Sequence, residues 1–279
     1  MEQHTISNHQ IASFAGKLQE DERSPATIEN YLRHIRAFAA WAGEQAVTKE
    51  LVASWKEHLT GKDYRPGNTM LVSLNRFLGF LGWHDCVVKT LRIQRRLFRE
   101  DSKELTREEY ERLVSTAQAS GRERLVLLLE TICSTGIRVS EVKYITVEAL
   151  HLGKAEISLK GKIRTILLPN KLCRKLLKYA KKQKTVSGEV FLTRNGTGLS
   201  RKQIWAEMKS LCEKAKVAAS KVFPHNLRHL FARTFYKVCR DVARLADVLG
   251  HSSVETTRIY LISTGAEHAH TLERLRLIL

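Results

Sequence analysis

The chain lacks several things whose absence narrows its chemistry. No apolar run approaches the roughly 18 residues that a membrane span needs. The start, Met1-Glu2-Gln3-His4, has neither the basic nor the apolar stretch of a secretory signal. A cytoplasmic protein with no membrane partner is expected. The five cysteines (Cys86, Cys133, Cys173, Cys212 and Cys239) are widely spaced and form no CxxC pair, so they read as reduced packing thiols, not as a disulfide frame or a zinc site. HExxH, GxxxxGK[ST] and GxGxxG are missing, as is any dense carboxylate cluster. Metal-dependent hydrolysis, nucleoside-triphosphate hydrolysis and dinucleotide redox chemistry therefore lack their usual signatures, and no metal or cofactor is expected. Acid is scarce too: 29 Asp and Glu stand against 47 Lys and Arg in 279 residues, a formal net charge of +18. That excess is more than solubility needs and points to a polyanion, nucleic acid first and an anionic membrane surface second.

The charge is uneven, with +3 on the first hundred residues and +15 on the rest. With 43% hydrophobic residues the chain can bury proper cores, and its length suits two domains. Residues 8–97 read as helical throughout, a compact bundle of about four helices. Ser24-Pro25-Ala26-Thr27 opens a segment whose Ile28, Tyr31, Leu32, Ile35, Phe38 and Trp41 recur at steps of three and four, with Arg33, His34 and Arg36 on the other face. A second segment, Lys49 to Leu59, presents Leu51, Val52, Trp55 and Leu59 for burial. Gly61 to Gly67 breaks it, with Pro66 inside, and Asn68 to Leu81 then lines up Leu71, Leu74, Leu78 and Leu81. Lys89, Arg92, Arg95, Arg96, Arg99 and Lys103 follow with few apolar anchors, as in a basic interdomain linker. The domains are placed at 1–97 and 106–279, joined by a linker at 98–105.

Thr106-Arg107-Glu108-Glu109 has capping-box spacing and predicts a helix over 107–118. Leu125 to Cys133 is apolar nearly all round, as in a central buried helix. Alternation from Ala155 to Leu168 around Lys160-Gly161-Lys162 predicts a β-hairpin with a basic tip, ended by Pro169. Helices are expected at about 170–184, 200–217, 225–238, 241–249 and 254–262, with an amphipathic piece at 272–279. The fold class is mainly α, with one small β-hairpin in the second domain.

What can carry chemistry is a group of basic and polar residues with one tyrosine. Arg138 follows a glycine break in Ser134-Thr135-Gly136-Ile137-Arg138-Val139-Ser140-Glu141, at a helix start. In Pro224-His225-Asn226-Leu227-Arg228-His229, His225 and Arg228 are three apart and share a helical face. His251 follows Gly250, which suits a left-handed helix cap. Ser252 and Glu255 have capping-box spacing, and Tyr260 lies two turns along the helix they start. Two arginines can hold the non-bridging oxygens of one phosphate. Histidines can donate hydrogen bonds or move protons, a lysine can protonate a leaving alkoxide, and a tyrosine hydroxyl can form a covalent intermediate. The ester conserves the bond energy, so resealing needs no ATP. His225 and His229, four apart, have a metal-binding spacing but no adjacent Cys or carboxylate to complete it.

These segments together resemble the tyrosine recombinases of the Xer and phage-integrase kind. That family carries G-[IL]-R-x-S-E, H-x-L-R-H, L-G-H and a tyrosine nine residues past the last histidine. Here Gly136-Ile137-Arg138-Val139-Ser140-Glu141, His225-Asn226-Leu227-Arg228-His229, Leu249-Gly250-His251 and Tyr260 stand in that order. The resemblance covers about residues 105–270 and extends more loosely, through Thr27, Tyr31, Phe38 and Trp41, to a SAM-like core-binding domain. It implies that Tyr260 is the nucleophile of a 3′-phosphotyrosyl link, that Arg138 and Arg228 grip the scissile phosphate, and that His225 and His251 assist. It implies a hairpin lysine, Lys160 with Lys162 as rival, because this hairpin departs by a residue or two from the family's K-G-x-G/N-K. Asn226 stands where the family often has Asp. DNA contacts are assigned to Arg33, Arg36, Arg95, Arg96, Lys162, Lys175, Lys178, Arg201 and Lys202, with His34 and Gln203 as further base readers.

The implied assembly is a clamp on duplex DNA recombination sites: a homo-tetramer on two sites, or a hetero-tetramer with a related recombinase, assisted by an accessory excision factor. Leu272, Leu275, Leu277 and Ile278 form an apolar tail that docks in the family on a neighbouring subunit, with packing in cis as the alternative. The first functional reading is integration and excision of a mobile element. The alternatives are Xer-type resolution of chromosome dimers and, in a different class, a non-catalytic DNA-binding protein with the same fold. Taken singly, several residues read more plainly. Tyr260 is a half-buried core tyrosine, His229 packs on the Leu230 and Phe231 side of its helix, and Trp205 with Met208 and Leu211 is core. Lys171, Arg174, Lys175, Lys178 and Lys182 make a solvated face or a DNA-facing one.

Overall fold

The structure, a computed structural model, describes residues 4–60, 64–91, 103–159, 162–251, 253–260 and 273–274, the side chains of 60, 64–66, 159 and 162 excepted. The chain divides into two compact units, Met1–Arg95 and Arg96–Leu279.

The first unit packs α1 (Asn8–Glu20), α2 (Pro25–Ala42), α3 (Lys49–Thr60) and α4 (Tyr64–Phe80) around Phe14, Phe38, Phe77, Leu71, Leu74 and Leu78. Ser7 and Gln10 cap α1 reciprocally, and Pro25 opens α2 at a position where its missing N–H costs nothing. The break before the fourth helix is shorter than the sequence suggests, because Pro66 falls in the first turn of α4 and is tolerated there. The helix does not run on to residue 97. After Gly82, at φ 78°, the chain makes a 3₁₀ turn at His84–Cys86 and continues extended to Leu91. The amides of Asn75 and Asn68 hold that strand-like stretch, each bonding both the N–H and the carbonyl of one residue, Val88 and Leu91 respectively. His34 is also corrected: it is half-buried, with Nδ1 2.9 Å from Ser73 Oγ on α4, and helps join two helices.

In the second unit α5 (Arg107–Ala119) starts at the expected capping box of Thr106 and Glu109. α6 (Glu123–Thr135) forms the centre, with Leu125, Leu128, Leu129 and Ile132 excluded from solvent. A 3₁₀ turn (Val139–Tyr144) and a short α7 (Val147–Leu152) follow, neither of which periodicity announced. β1 (Lys154–Leu159) and β2 (Lys162–Leu167) pair antiparallel with Ile157 opposite Arg164. Side chains alternate across a strand, so Arg164 shares its face with buried Ile166, while Ile163 and Leu167 point to solvent. α8 (Asn170–Lys182) is followed by α9 (Arg201–Lys209), α10 (Cys212–Ala215), α11 (Pro224–Cys239), α12 (Val242–Leu249) and α13 (Val254–Arg258).

The expected helix at 200–217 is two helices. Ser210 caps α9 and turns its hydroxyl back to the Glu207 carbonyl, while Arg122 donates to that hydroxyl at 2.6 Å. Trp205 is not core but 51% exposed, with the Lys209 ammonium 5.5 Å from its ring centre. Ile204, Met208 and Leu211 take the buried side, and Trp205 lies about 100° around the helix from Ile204. Among the described residues, no helix is long and apolar enough to cross a membrane.

Gly136 ends α6 with φ 64°, and a Cβ there would run into the Phe231 ring of α11. Gly136→Ala should therefore cost roughly 1–3 kcal/mol from strain and repacking. In thermal unfolding this should lower the melting point of the second unit by several degrees; an unchanged midpoint would refute this account of the α6–α11 contact.

Candidate active site

Four chain turns meet at one point. α6 stops at left-handed Gly136, and the chain turns immediately into Arg138, the N-cap of the 3₁₀ turn. α11 begins with Pro224, which leaves His225 near the helix start and Arg228 facing inward, 2% exposed. α12 ends at left-handed Gly250, as the sequence suggests, and presents His251. Ser253 caps α13, one residue beyond the expected Ser252, which lies outside the described residues. α13 stops at Arg258, so Tyr260 sits in the turn after the helix and not on it. Its ring is 4% exposed, packed with Ala232, Leu245 and Leu249.

Arg228 ties these turns together. Its guanidinium donates to the carbonyls of Gly136 and Leu249, the latter at 2.8 Å, and its Nε lies 3.5 Å from the Tyr260 hydroxyl. Its Nη2 is 3.0 Å from His251 Nε2. A guanidinium can only donate, so His251 Nε2 is the acceptor and Nδ1 carries the proton, 2.8 Å from Thr257 Oγ1. Burial first, then Arg228, Arg138 and Arg164, lowers the His251 pKa to about 4, which agrees with a neutral ring.

Two residues to which the motifs assign no role, Glu141 and Arg164, complete the charged side of the site. Glu141, 4% exposed, is the acidic centre: its carboxylate accepts from the Arg138 N–H at 2.7 Å and from Arg138 Nη1 at 2.9 Å. It also accepts from Arg164 Nη2 at 2.7 Å. Arg164 reaches in from β2 and donates to the Leu249 carbonyl through Nη1. Desolvation lowers its pKa to about 10 against the pull of Glu141, which leaves it charged at neutral pH. Its Nε is buried without a hydrogen-bond partner. A Cβ on Gly250, whose φ is 62°, would meet the Arg164 side chain. Glu141 stood inside a quoted motif, but the reach of Arg164 is a tertiary fact.

His229 overturns the packing reading. Its Nε2 lies 2.9 Å from His225 Nε2, its ring meets Tyr260 edge-on at 4.5 Å, and its Nδ1 is 3.4 Å from Glu104 Oε1. Leu230 and Phe231 are its neighbours in sequence only, since consecutive residues on a helix point about 100° apart. Tyr260 is thus enclosed by three imidazoles, with His251 stacked at 5.7 Å and 12° and His225 at 6.0 Å. His225 is exposed on one side, and desolvation of its inner side, then His229 and Arg228, lowers its pKa to about 4, with Glu104 acting the other way. Asn226 is buried away from this site. Its amide donates to the carbonyls of Lys103 and Lys221, each at 2.8 Å, a double-donor task that a carboxylate cannot perform.

Arg33 and Arg36 are exposed on α2, Lys178 on α8, and Arg201 and Lys202 in the first turn of α9. Gln203 is the capping partner of Ser200. Lys175 is held by Glu130 at 2.6 Å. Lys160, Arg95 and Arg96, the tail residues Leu272, Leu275, Leu277 and Ile278, and the side chain of Lys162 lie outside the described residues.

Residues 103–267 match the phage integrase family. The chain is 27% identical over 288 residues to tyrosine recombinase XerA of Pyrococcus furiosus, covering 100% of this chain and 98% of that one. Its fold matches that of the Tn1549 transposon integrase in complex with transposon right end DNA, with a TM-score of 0.71 at 16% identity over 95% of this chain and 99% of that one. It also matches a lambda integrase dimer bound to a COC′ core site, with a TM-score of 0.72 at 16% identity over 92% of this chain and 78% of that one.

The two depressed histidines make stability depend on pH in a defined direction. Each has a folded pKa of about 4 against an ordinary 6.5, so each takes up a proton on unfolding between those values. The stability they contribute is present above about pH 6.5 and falls away as pH drops toward 4. Melting of the second unit should decline across that window, and His251→Gln should flatten the decline; a melting point that rises on acidification would contradict the assignment.

Proposed function

We infer the function from one premise: the chain belongs to the phage integrase family and is a tyrosine recombinase. Its reaction is the cutting and rejoining of duplex DNA through a 3′-phosphotyrosyl intermediate. One observation carries this reading: a buried tyrosine with a guanidinium nitrogen 3.5 Å from its hydroxyl, walled in by histidines.

In this reading the scissile phosphate enters beside Arg138, whose side chain is 42% exposed and free to turn outward from Glu141. Arg138 and Arg228 each hold a non-bridging oxygen and offset the charge that builds on the phosphorane. The Tyr260 oxygen attacks phosphorus and the 5′ oxygen of the strand leaves. The phenolic proton passes to His225, and Lys160, with Lys162 as the rival, protonates the departing oxygen. His251, fixed by Thr257, donates to the phosphate once Nε2 has taken up a proton. The 5′ hydroxyl of a partner strand then reverses these steps, with no ATP, metal or cofactor required. The surplus of positive charge on residues 101–279 holds the DNA backbone, so binding should weaken steeply with salt. Arg33, Arg36, Arg95, Arg96, Lys178, Arg201 and Lys202 contact DNA, with Lys175 doing so once released from Glu130. The working unit is a tetramer on two recombination sites in the cytoplasm.

The biological task proposed is integration and excision of a mobile element. The full-length likeness to a Xer relative favours a second reading, Xer-type resolution of chromosome dimers. Sequencing the DNA covalently held by the protein in its own cells separates the two. Paired sites flanking an excisable segment support the first, and a single chromosomal site supports the second. A non-catalytic DNA-binding protein, the reading from another class, is excluded by any adduct through Tyr260.

The chemistry is tested on a duplex selected by binding from a random pool and nicked beside the cleavage point. The native chain should become covalently trapped, and Tyr260→Phe should abolish the adduct while leaving affinity unchanged. Arg138→Ala should slow trapping by about 10²–10³, the usual loss when a charge-stabilising donor is removed. An adduct that persists in Tyr260→Phe, or equal losses of binding and cleavage in Arg138→Ala, would overturn these roles.

A further inference from the structure

His225 does not stand alone on α11. One helical turn on, His229 occupies the same face, and the two Nε2 atoms are 2.9 Å apart. Behind His229 lies Glu104, with Oε1 3.4 Å from Nδ1. Both side chains are largely withdrawn from solvent, at 16% and 12% exposure. Glu104 belongs to a short stretch pinned onto α11 at three points. Asn226 holds the Lys103 carbonyl at 2.8 Å, Arg233 holds the Leu105 carbonyl at 2.7 Å, and Arg233 Nη2 reaches Glu104 Oε2 at 3.1 Å. Leu105 itself is 1% exposed. The carboxylate is therefore fixed in place by the same helix that carries both histidines.

With His229 neutral, proton bookkeeping across this row has one consistent solution. A carboxylate facing His229 Nδ1 favours a proton there. Neutral His229 then offers Nε2 as an acceptor, and the proton between the rings belongs to His225 Nε2. The free acceptor of His225 is Nδ1. We propose that Glu104 and His229 are positioning residues that fix this tautomer of His225 and share the positive charge that appears when His225 takes the Tyr260 proton. This rests on the reading of Tyr260 and His225 given above. The step balances: the tyrosine O–P bond forms, the P–O5′ bond breaks, the phenolic proton goes to His225 Nδ1, and another acid of the site protonates the leaving oxygen. The edge-on contact of His229 with Tyr260 adds a second effect, since it limits the rotation of the phenol ring. Among the described residues, the charged and titratable groups around the pair are Glu104, Arg233, Arg228, Arg138, His251 and Tyr260. Glu104 alone among these favours a protonated His225, and the nearby arginines oppose it. The arrangement repeats, with the carboxylate brought in from outside the helix, the logic by which a carboxylate orients a histidine base.

The test measures single-turnover adduct formation against pH on the nicked duplex, with DNA affinity and melting point in parallel. Glu104→Gln and His229→Gln should each slow adduct formation about 10- to 100-fold, part of what a positioned acid–base group supplies. Affinity should not change, and the rising limb of the pH profile should move. In a His225→Gln background, Glu104→Gln should have no further effect. Additive losses, or wild-type rates in both single variants, would overturn the proposal. If the native chain forms no adduct, the functional reading fails first, and the two failures are told apart on that basis. Ring-nitrogen NMR of the DNA-free chain gives a readout independent of activity and tolerant of weakly folded variants. His229 should carry its proton on Nδ1 and His225 on Nε2 in the native chain, and the opposite pair of tautomers would refute the relay.

Discussion

The buried guanidinium of Arg228 is the constraint on which the site depends. Taking a cation out of water costs several kcal/mol unless its donors are met. Here they are met by the ends of other elements: the Gly136 carbonyl after α6, the Leu249 carbonyl and His251 after α12, and Tyr260 beyond α13. Carbonyls at helix ends lack intrahelical partners and so are available to a cation. The two left-handed glycines follow from the same demand. Gly136 and Gly250 turn the chain sharply after each helix, and the space where a Cβ would sit belongs to Phe231 in one case and Arg164 in the other.

Around that cation the charges suit an anion. Arg138, Arg164 and Arg228 gather near one buried carboxylate, Glu141, which directly pairs with only the first two. Desolvation first, and then the local surplus of positive charge, keeps His251 and His225 neutral, so both rings retain a lone pair. In the proposed reaction a phosphate between Arg138 and Arg228 would offset part of this positive field and make histidine protonation easier. On that proposal electrostatics links substrate binding to acid–base readiness.

Much of this was legible in the sequence, and the rest was not for definite reasons. Arg138, His225, Arg228, His251 and Tyr260 lie in short segments whose spacing reflects helix ends, so pattern alone found the residues that converge. Capping chemistry was equally local, and Thr106 with Glu109 marked the start of α5. Arg164 escaped notice because a basic residue on a hairpin resembles any solvated one; only the register opposite Ile157 turns it inward. Glu104 meets His229 from 125 positions away, a contact that no local pattern encodes. His229 was misread from its sequence neighbours when its helical neighbours decide its surroundings. Trp205 failed in the same way, one step off the face of Ile204 and Met208. The break at Ser210 is accompanied by a side-chain bond from Arg122, again long-range.

The central claim is that Arg228 acts through the geometry of its fork and not through charge alone. Arg228→Lys keeps the charge but cannot serve two carbonyls, a histidine and a phosphate together. Covalent trapping of this variant on the nicked duplex, alongside its melting point and DNA affinity, tests the claim most directly. The account predicts a folded chain with near-native affinity whose trapping rate falls by about 10² or more. Trapping at the native rate by Arg228→Lys would contradict it.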